Sequence, residues 1–146
     1  MNHYRIRQAV TADLPSIEKL LQHSGLPTVG IALEAAEFLV AETKPNEIIG
    51  VLGAQHDTAA TLLRSFAVAE RWRKQGVGMS LVKAMLERLQ AQNRKVLYLL
   101  TETAAAYFER LGFQFITRKE IPPSLLVQSG LDQACPCSSQ CLQKEL

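Results

Sequence analysis

Arg73-Lys74-Gln75-Gly76-Val77-Gly78 joins two unlike stretches of chain. Before it, residues 61–68 are mostly apolar and β-compatible and predict a strand. After it, Val77, Leu81, Met85 and Leu89 recur at helical spacing, with Val82 and Leu86 alongside. The glycines therefore stand at a strand-to-helix junction. The first N–H groups of a helix lack internal partners and lie at the positive end of its dipole, so a phosphate seated there gains several hydrogen bonds. Gly76 and Gly78 let the backbone come close, and the amides from Arg73 through Lys74, Gln75, Gly76 and Val77 to Gly78 form a nest of donors that acts whatever the side chains are. Neither Gly-x-x-x-x-Gly-Lys-Ser/Thr nor Gly-x-Gly-x-x-Gly is present, and the pattern that remains is Arg/Gln-x-x-Gly-x-Gly.

The second half of the chain repeats the arrangement. Residues 94–100 read as another strand, and Ala104, Tyr107, Phe108 and Leu111 recur at i, i+3, i+4 and i+7 before Gly112-Phe113. The first motif, with Trp72 ahead of Arg73, resembles the pyrophosphate-binding motif of the GNAT acetyltransferases. Phe108-Glu109-Arg110-Leu111-Gly112-Phe113 is similar to that family's Tyr-Glu-Lys-Leu-Gly-Phe segment. The resemblance covers residues 4–117 and implies acetyl-CoA as cosubstrate. A softer likeness, in Leu100-Thr101-Glu102-Thr103-Ala104 and in the tail from Glu120-Ile121-Pro122-Pro123 to Cys135-Pro136 and Cys141-Leu142, points to the subgroup associated with arsenic-resistance operons.

A chain of 146 residues, 47% hydrophobic, suits one compact domain over 1–146. Net charge is only +2, and Lys/Arg alternate with Glu instead of forming a stripe with stacking aromatics, so nucleic acid is not an expected partner. No apolar run approaches a membrane span and the N-terminus has no signal-peptide core, which predicts a cytoplasmic protein, monomer or homodimer. Cys135, Cys137 and Cys141 form the only thiol cluster. Three thiolates suit a soft metal or metalloid, no histidine is near them, and incidental buried thiols are the plain alternative.

From the N-terminus, residues 4–8 read as a strand. Thr11-Ala12-Asp13 offers helix N-cap side chains, followed by a helix with Leu14, Ile17, Leu20 and Leu21 on one face, ended by Gly25 and Pro27. Residues 30–36 read as a short second helix. Residues 37–43 and 47–55 form a hairpin through Lys44-Pro45-Asn46, and His56-Asp57-Thr58 turns into the strand ending at Val68. A strand to Thr117, a short helix from Pro122-Pro123 to Val127 and a strand over 140–144 complete the chain. The order predicts an α/β (α+β) fold with a mixed central sheet and helices on both faces, in which the strands ending near Val68 and Leu100 are parallel neighbours. The resemblance implies that these two strands splay apart and that the pantetheine arm of the coenzyme lies between them, against Phe66, Ala67 and Val68.

Acyl transfer to an amine needs a deprotonated nucleophile, a polarised thioester carbonyl and a proton for the thiolate. Glu34, Glu37, Glu42 and His56 are the candidate bases, with Glu37 assigned. Arg64 or Arg5 would read a carboxylate if the acceptor is amino-acid-like. The resemblance puts carbonyl polarisation on a backbone N–H near Val68 and the leaving-group acid on a tyrosine whose position is held here by Phe108. Tyr107 is the nearest hydroxyl, although adjacent helical positions point roughly 100° apart. Thr101 and Thr103 suit capping and then contact with the pantetheine. The reading is direct, metal-free acetyl transfer to a small amine, without an acetyl-enzyme. Its rivals are a non-catalytic acetyl-CoA sensor or partner subunit, favoured by Phe108, and a metalloid-binding module built on the cysteines.

Overall fold

A computed structural model describes residues 3–58, 60–134 and 139–146. In chain order the elements are β1 (Arg5–Gln8), α1 (Leu14–His23), β2 (Glu37–Glu42), β3 (Ile48–His56), β4 (Ala60–Val68), α2 (Val77–Ala91), β5 (Val96–Thr101), α3 (Ala105–Arg110), β6 (Gln114–Ile116), α4 (Pro123–Ser129), α5 (Leu131–Ala134) and β7 (Gln140–Glu145). The strands form one seven-stranded mixed sheet in the order β1-β2-β3-β4-β5-β7-β6. Only the β4–β5 pair is parallel, as the crossover through α2 requires.

Side-chain alternation gives each face of the sheet its own core. Leu39, Leu52, Leu63, Leu97 and Leu99 meet α2 and α3 through Leu81, Met85 and Phe108. Phe38, Val40 and Val51 on the other face meet Ile17 and Leu21 of α1, and Leu62 meets Leu125 of α4. The α2 face buries Val77, Leu81, Val82, Met85 and Leu89. At about 1.5–3 kcal/mol per buried side chain, that stripe rather than intrinsic propensity holds the helix to the sheet.

Two local features fix the geometry of the β4–β5 edge. Ser65 sits at φ 57, and the β3–β4 register slips between Val51↔Ala67 and Gly53↔Arg64, so Ser65 and Phe66 together oppose Leu52 in a β-bulge. The parallel pairing runs only through Ala60↔Val96, Thr61↔Leu97 and Leu62↔Tyr98, after which the strands part. β5 stays paired with β7 along its full length, so the opening lies on its β4 side alone.

Residues 30–36 do not form the expected short helix. Ala35 and Ala36 both bond back to the Ala32 carbonyl in an isolated turn, and Gly30 takes φ 74. The chain is drawn instead toward α4: a Cβ on Gly30 would meet the Ser129 carbonyl oxygen at 2.9 Å, and one on Gly130 would meet Val29 Cγ2 at 2.7 Å. Asp13 also departs from a simple helix cap. Its carboxylate accepts the Val10 N–H at 2.8 Å and two Arg7 bonds at 2.7 and 2.9 Å, tying α1 to β1. Among the described residues no helix is long and apolar enough to cross a membrane.

Candidate active site

The parting of β4 from β5 opens a cavity of about 900 Å³. Its walls are Arg64–Val68 of β4, Leu99–Thr101 of β5, the turn over residues 102–104 leading into α3, and the end of the α1 segment at residues 24–27. Phe66, Ala67, Val68, Arg73, Thr103 and Phe108 all line it, so these residues predicted for the coenzyme share one space.

The segment expected to form the phosphate nest begins at this cavity, where β4 gives way to α2 and Arg73 lines the wall. Arg73 donates through Nε to the Val68 carbonyl at 3.0 Å, folding the connection back on its strand, and Gln75 Nε2 bonds the Arg71 carbonyl at 2.9 Å. The first backbone bond entering α2 runs from Ser80 N–H to the Gly76 carbonyl at 3.0 Å, leaving the amides of residues 77–79 as the helix's open donors. The two glycines serve different needs. Gly76 adopts φ 87 with open space around it, which is a demand on conformation. Gly78 has ordinary dihedral space, but a Cβ there would stand 3.1 Å from Phe66 Cζ, so its demand is close packing of α2 on β4.

Neither side chain expected to move protons lines the cavity. Glu37 lies under the C-terminal part of α2, bonded to Arg88 and His56 and 3.3–3.4 Å from Gln92 Nε2. Burial pushes its carboxyl up, but the bonds from His56 and Arg88 outweigh that and hold it down at about 2. Such a carboxylate stays ionised and committed to its partners. His56 is tied to the same group, with Nδ1 2.8 Å from Thr61 Oγ1. Glu42 is buried against Arg5, Arg7 and the Asn46 N–H, and the Arg7 bond is the main reason its carboxyl is lowered to about 2. Glu34 is not among the lining residues.

Tyr107 packs beside Phe66, ring centroids 6.1 Å apart, and its hydroxyl is buried with no hydrogen-bond partner, which pushes its pKa up by desolvation. Phe108, one position on, is the residue that faces the cavity, packed edge-on to Phe66 at 5.7 Å. Thr101 performs the predicted capping: its Oγ1 accepts the Ala104 N–H at 2.9 Å.

Arg64, an expected carboxylate reader, is 4% exposed and already engaged. Nε donates to Ser65 Oγ at 3.1 Å, Nη1 to Gln55 Oε1 at 3.0 Å and the Ser129 carbonyl at 3.2 Å, and Nη2 to the Val29 carbonyl. It pins the α1–β2 loop and the end of α4 to β4. Arg5 is spent on Glu42. Lining residues not assigned from sequence include Ser24–Pro27, Ser65, Glu102, Leu131 and Ser139. Ser65 has no sequence signal because a positive φ at serine is not written in residue type, whereas Glu102 lies inside a motif already picked out at residues 100–104. Cys135 and Cys137 of the expected thiol cluster lie outside the described residues. Cys141 is buried, its thiol pushed up by burial. Among the described residues no group of three or more His, Cys, Asp or Glu is placed to hold a metal.

The acetyltransferase (GNAT) domain family matches residues 34–115, more than half of the chain. The chain belongs to the GNAT acetyltransferases, and is an acyltransferase by that membership. No curated protein matches it in sequence. Among solved structures, a GNAT acetyltransferase of Staphylococcus aureus Mu50 superposes with TM-score 0.77 at 16% identity, over 98% of this chain and 99% of that one. N-acetylglutamate synthase of Neisseria gonorrhoeae, solved with coenzyme A and N-acetyl-glutamate, gives 0.80 at 20% identity, over all of this chain and 36% of that one. A Mycobacterium tuberculosis protein solved with CoA gives 0.74 at 19%, over 97% and 99%. At these identities the likeness is one of fold.

Proposed function

We propose that the chain is an acetyl-CoA-dependent N-acetyltransferase, one catalytic domain over residues 1–146, that passes acetyl directly from the thioester to the amine of a small acceptor. The observation that carries this reading is the early end of β4–β5 pairing beside the amide nest at α2. Beyond Leu62 the β4 edge has no parallel partner, and an extended amide-bearing arm can occupy it as a strand would. The nest suits the arm's diphosphate. Coenzyme A in the Neisseria and Mycobacterium relatives supports the assignment.

In this reading Phe66, Ala67 and Val68 hold the arm, the amides of Arg73 to Gly78 hold the diphosphate, and Thr103 and Phe108 face the arm from the opposite wall. An N–H near Val68 polarises the thioester carbonyl. The nitrogen–carbon bond forms as the carbon–sulfur bond breaks, and the thiolate takes up a proton. No cysteine among the described residues lines the cavity, which favours direct transfer. Phe108 supplies no hydroxyl and the Tyr107 hydroxyl is buried away from the cavity lining, so the departing thiolate draws its proton from water and the substrate amine.

Phe108 also favours a second reading, a coenzyme-binding sensor without turnover. The arsenic-resistance connection rests on the sequence likeness at residues 100–104 and in the tail. One experiment separates these readings: thiol release from acetyl-CoA with primary amines, amino acids and organoarsenicals as acceptors, beside calorimetry of acetyl-CoA alone. Binding with acceptor-dependent thiol release is expected. Binding without release on any acceptor favours the sensor, and no binding removes both.

A further inference from the structure

We infer that Glu102 is the ammonium-binding residue of the acceptor site, and that the acceptor is a small cationic amine lacking an α-carboxylate. This rests on the acetyltransferase reading above and deepens it.

The charged residues lining the cavity, among the described residues, are Arg64, Arg73 and Glu102. Arg73 belongs to the nest end and gives Nε to Val68. A guanidinium has five N–H donors, and Arg64 gives one each to Ser65, Gln55, Ser129 and Val29 and makes a further interaction as well. It is a buried fastening of the cavity wall, committed to four hydrogen bonds of its own, and no reader for an incoming carboxylate. Glu102 makes no hydrogen bond or ion pair with any described residue. Its turn is held in place by the Thr101 Oγ1 bond to the Ala104 N–H, and it follows the part of β5 that has separated from β4. With exposed Arg73 standing at the nest end, where the proposed reading seats the diphosphate, the charge left on the rest of the cavity wall without a partner is that of exposed Glu102, among the neutral hydroxyls of Ser24, Ser65, Thr103 and Ser139.

A carboxylate in that position forms charge-assisted hydrogen bonds with a primary ammonium and repels the carboxylate of a free amino acid. In the reaction, the ammonium held by Glu102 gives up one proton to water. The freed nitrogen bonds the acyl carbon as carbon–sulfur cleaves, and a second nitrogen-borne proton ends on the thiolate. The sum is ammonium plus acetyl-CoA giving amide, CoA thiol and one proton.

Three matched pairs test this by thiol release from acetyl-CoA: cadaverine against L-lysine, agmatine against L-arginine, and histamine against L-histidine. The wild type should favour each decarboxylated partner by about tenfold or more in kcat/KM. Glu102→Gln should raise the amine KM by about tenfold and narrow that preference, Glu102→Asp should restore part of it, and acetyl-CoA affinity by calorimetry should stay within about twofold. Preference for the amino acids, an unchanged KM in Glu102→Gln, or acetyl-CoA binding with no turnover of any of these amines overturns the inference. Failure of the wild type to bind acetyl-CoA overturns the underlying reading and takes this one with it.

Discussion

Tyr107 carries a buried hydroxyl without a partner, and such a group costs about 1–3 kcal/mol in a folded protein. Tyr107→Phe should therefore raise the unfolding free energy of the unliganded protein, by about 1 kcal/mol in a denaturant titration, and leave kcat within about threefold. A fall in kcat of about a hundredfold would instead make it the acid. The sequence placed Tyr107 and Phe108 correctly on one helix and showed that the two could not share a direction; which one meets the cavity depended on how α3 sits on the sheet, a tertiary fact. Gly76 and Gly78 show the same limit. Their spacing marked the junction, but the φ of 87 at one and the nearness of Phe66 to the other are visible only in space. Glu37 was chosen because it begins a strand near the expected cleft. Arg88, 51 positions away, and His56 claim it for an ion cluster that no local pattern announces.

At the scale of elements, the strap formed by the α1–β2 loop and the end of α4 hangs on Arg64. Removing that side chain leaves buried Gln55 and the buried Ser129 carbonyl short of donors and frees the part-buried Val29 carbonyl. Arg64→Met should cost on the order of 3 kcal/mol. Gly130→Ala, forced against Val29 at φ 73, acts on the same strap. The double variant should consequently lose less than the sum of the single losses, and strict additivity would show that the two do not act together. The β4–α2–β5 unit was legible because it is local: strand, glycine-marked helix start and amphipathic helix follow one another, and a crossover dictates parallel neighbours. The helix expected over 30–36 was not formed because partners about a hundred residues away, at Ser129 and Gly130, compete for Gly30 and Val29. Residues 140–145 were recognisable as a strand, yet nothing in them states that β7 inserts between β5 and β6.

At the scale of the whole molecule, carboxylates hold the sheet edge and its helices together. Asp13 and Glu42 share Arg7 and thereby join β1, α1 and the β2–β3 turn, while Glu37 joins β2 to α2. The pKa of each carboxyl is lowered in the folded state: Asp13 from 3.8, and Glu37 and Glu42 from 4.5 to about 2. A depressed carboxyl contributes stability that is fully present above its unfolded value and disappears as pH falls through its folded one. Urea unfolding should accordingly show stability level down to pH about 5 and falling steadily from there to pH about 2. Glu37→Gln should flatten part of that slope, and a stability independent of pH over this range would contradict the assignment. Both the acid-sensitive network and the cavity depend on one sheet, whose central opening is the basis of the functional account. The most direct test of that opening is a crystal structure of the protein grown with coenzyme A. The account predicts the diphosphate oxygens about 3 Å from the backbone nitrogens between residues 74 and 79, with the pantetheine lying between β4 and β5 beside Phe66 to Val68. Coenzyme bound elsewhere, with the nest empty and the β4–β5 gap filled by protein, would contradict it.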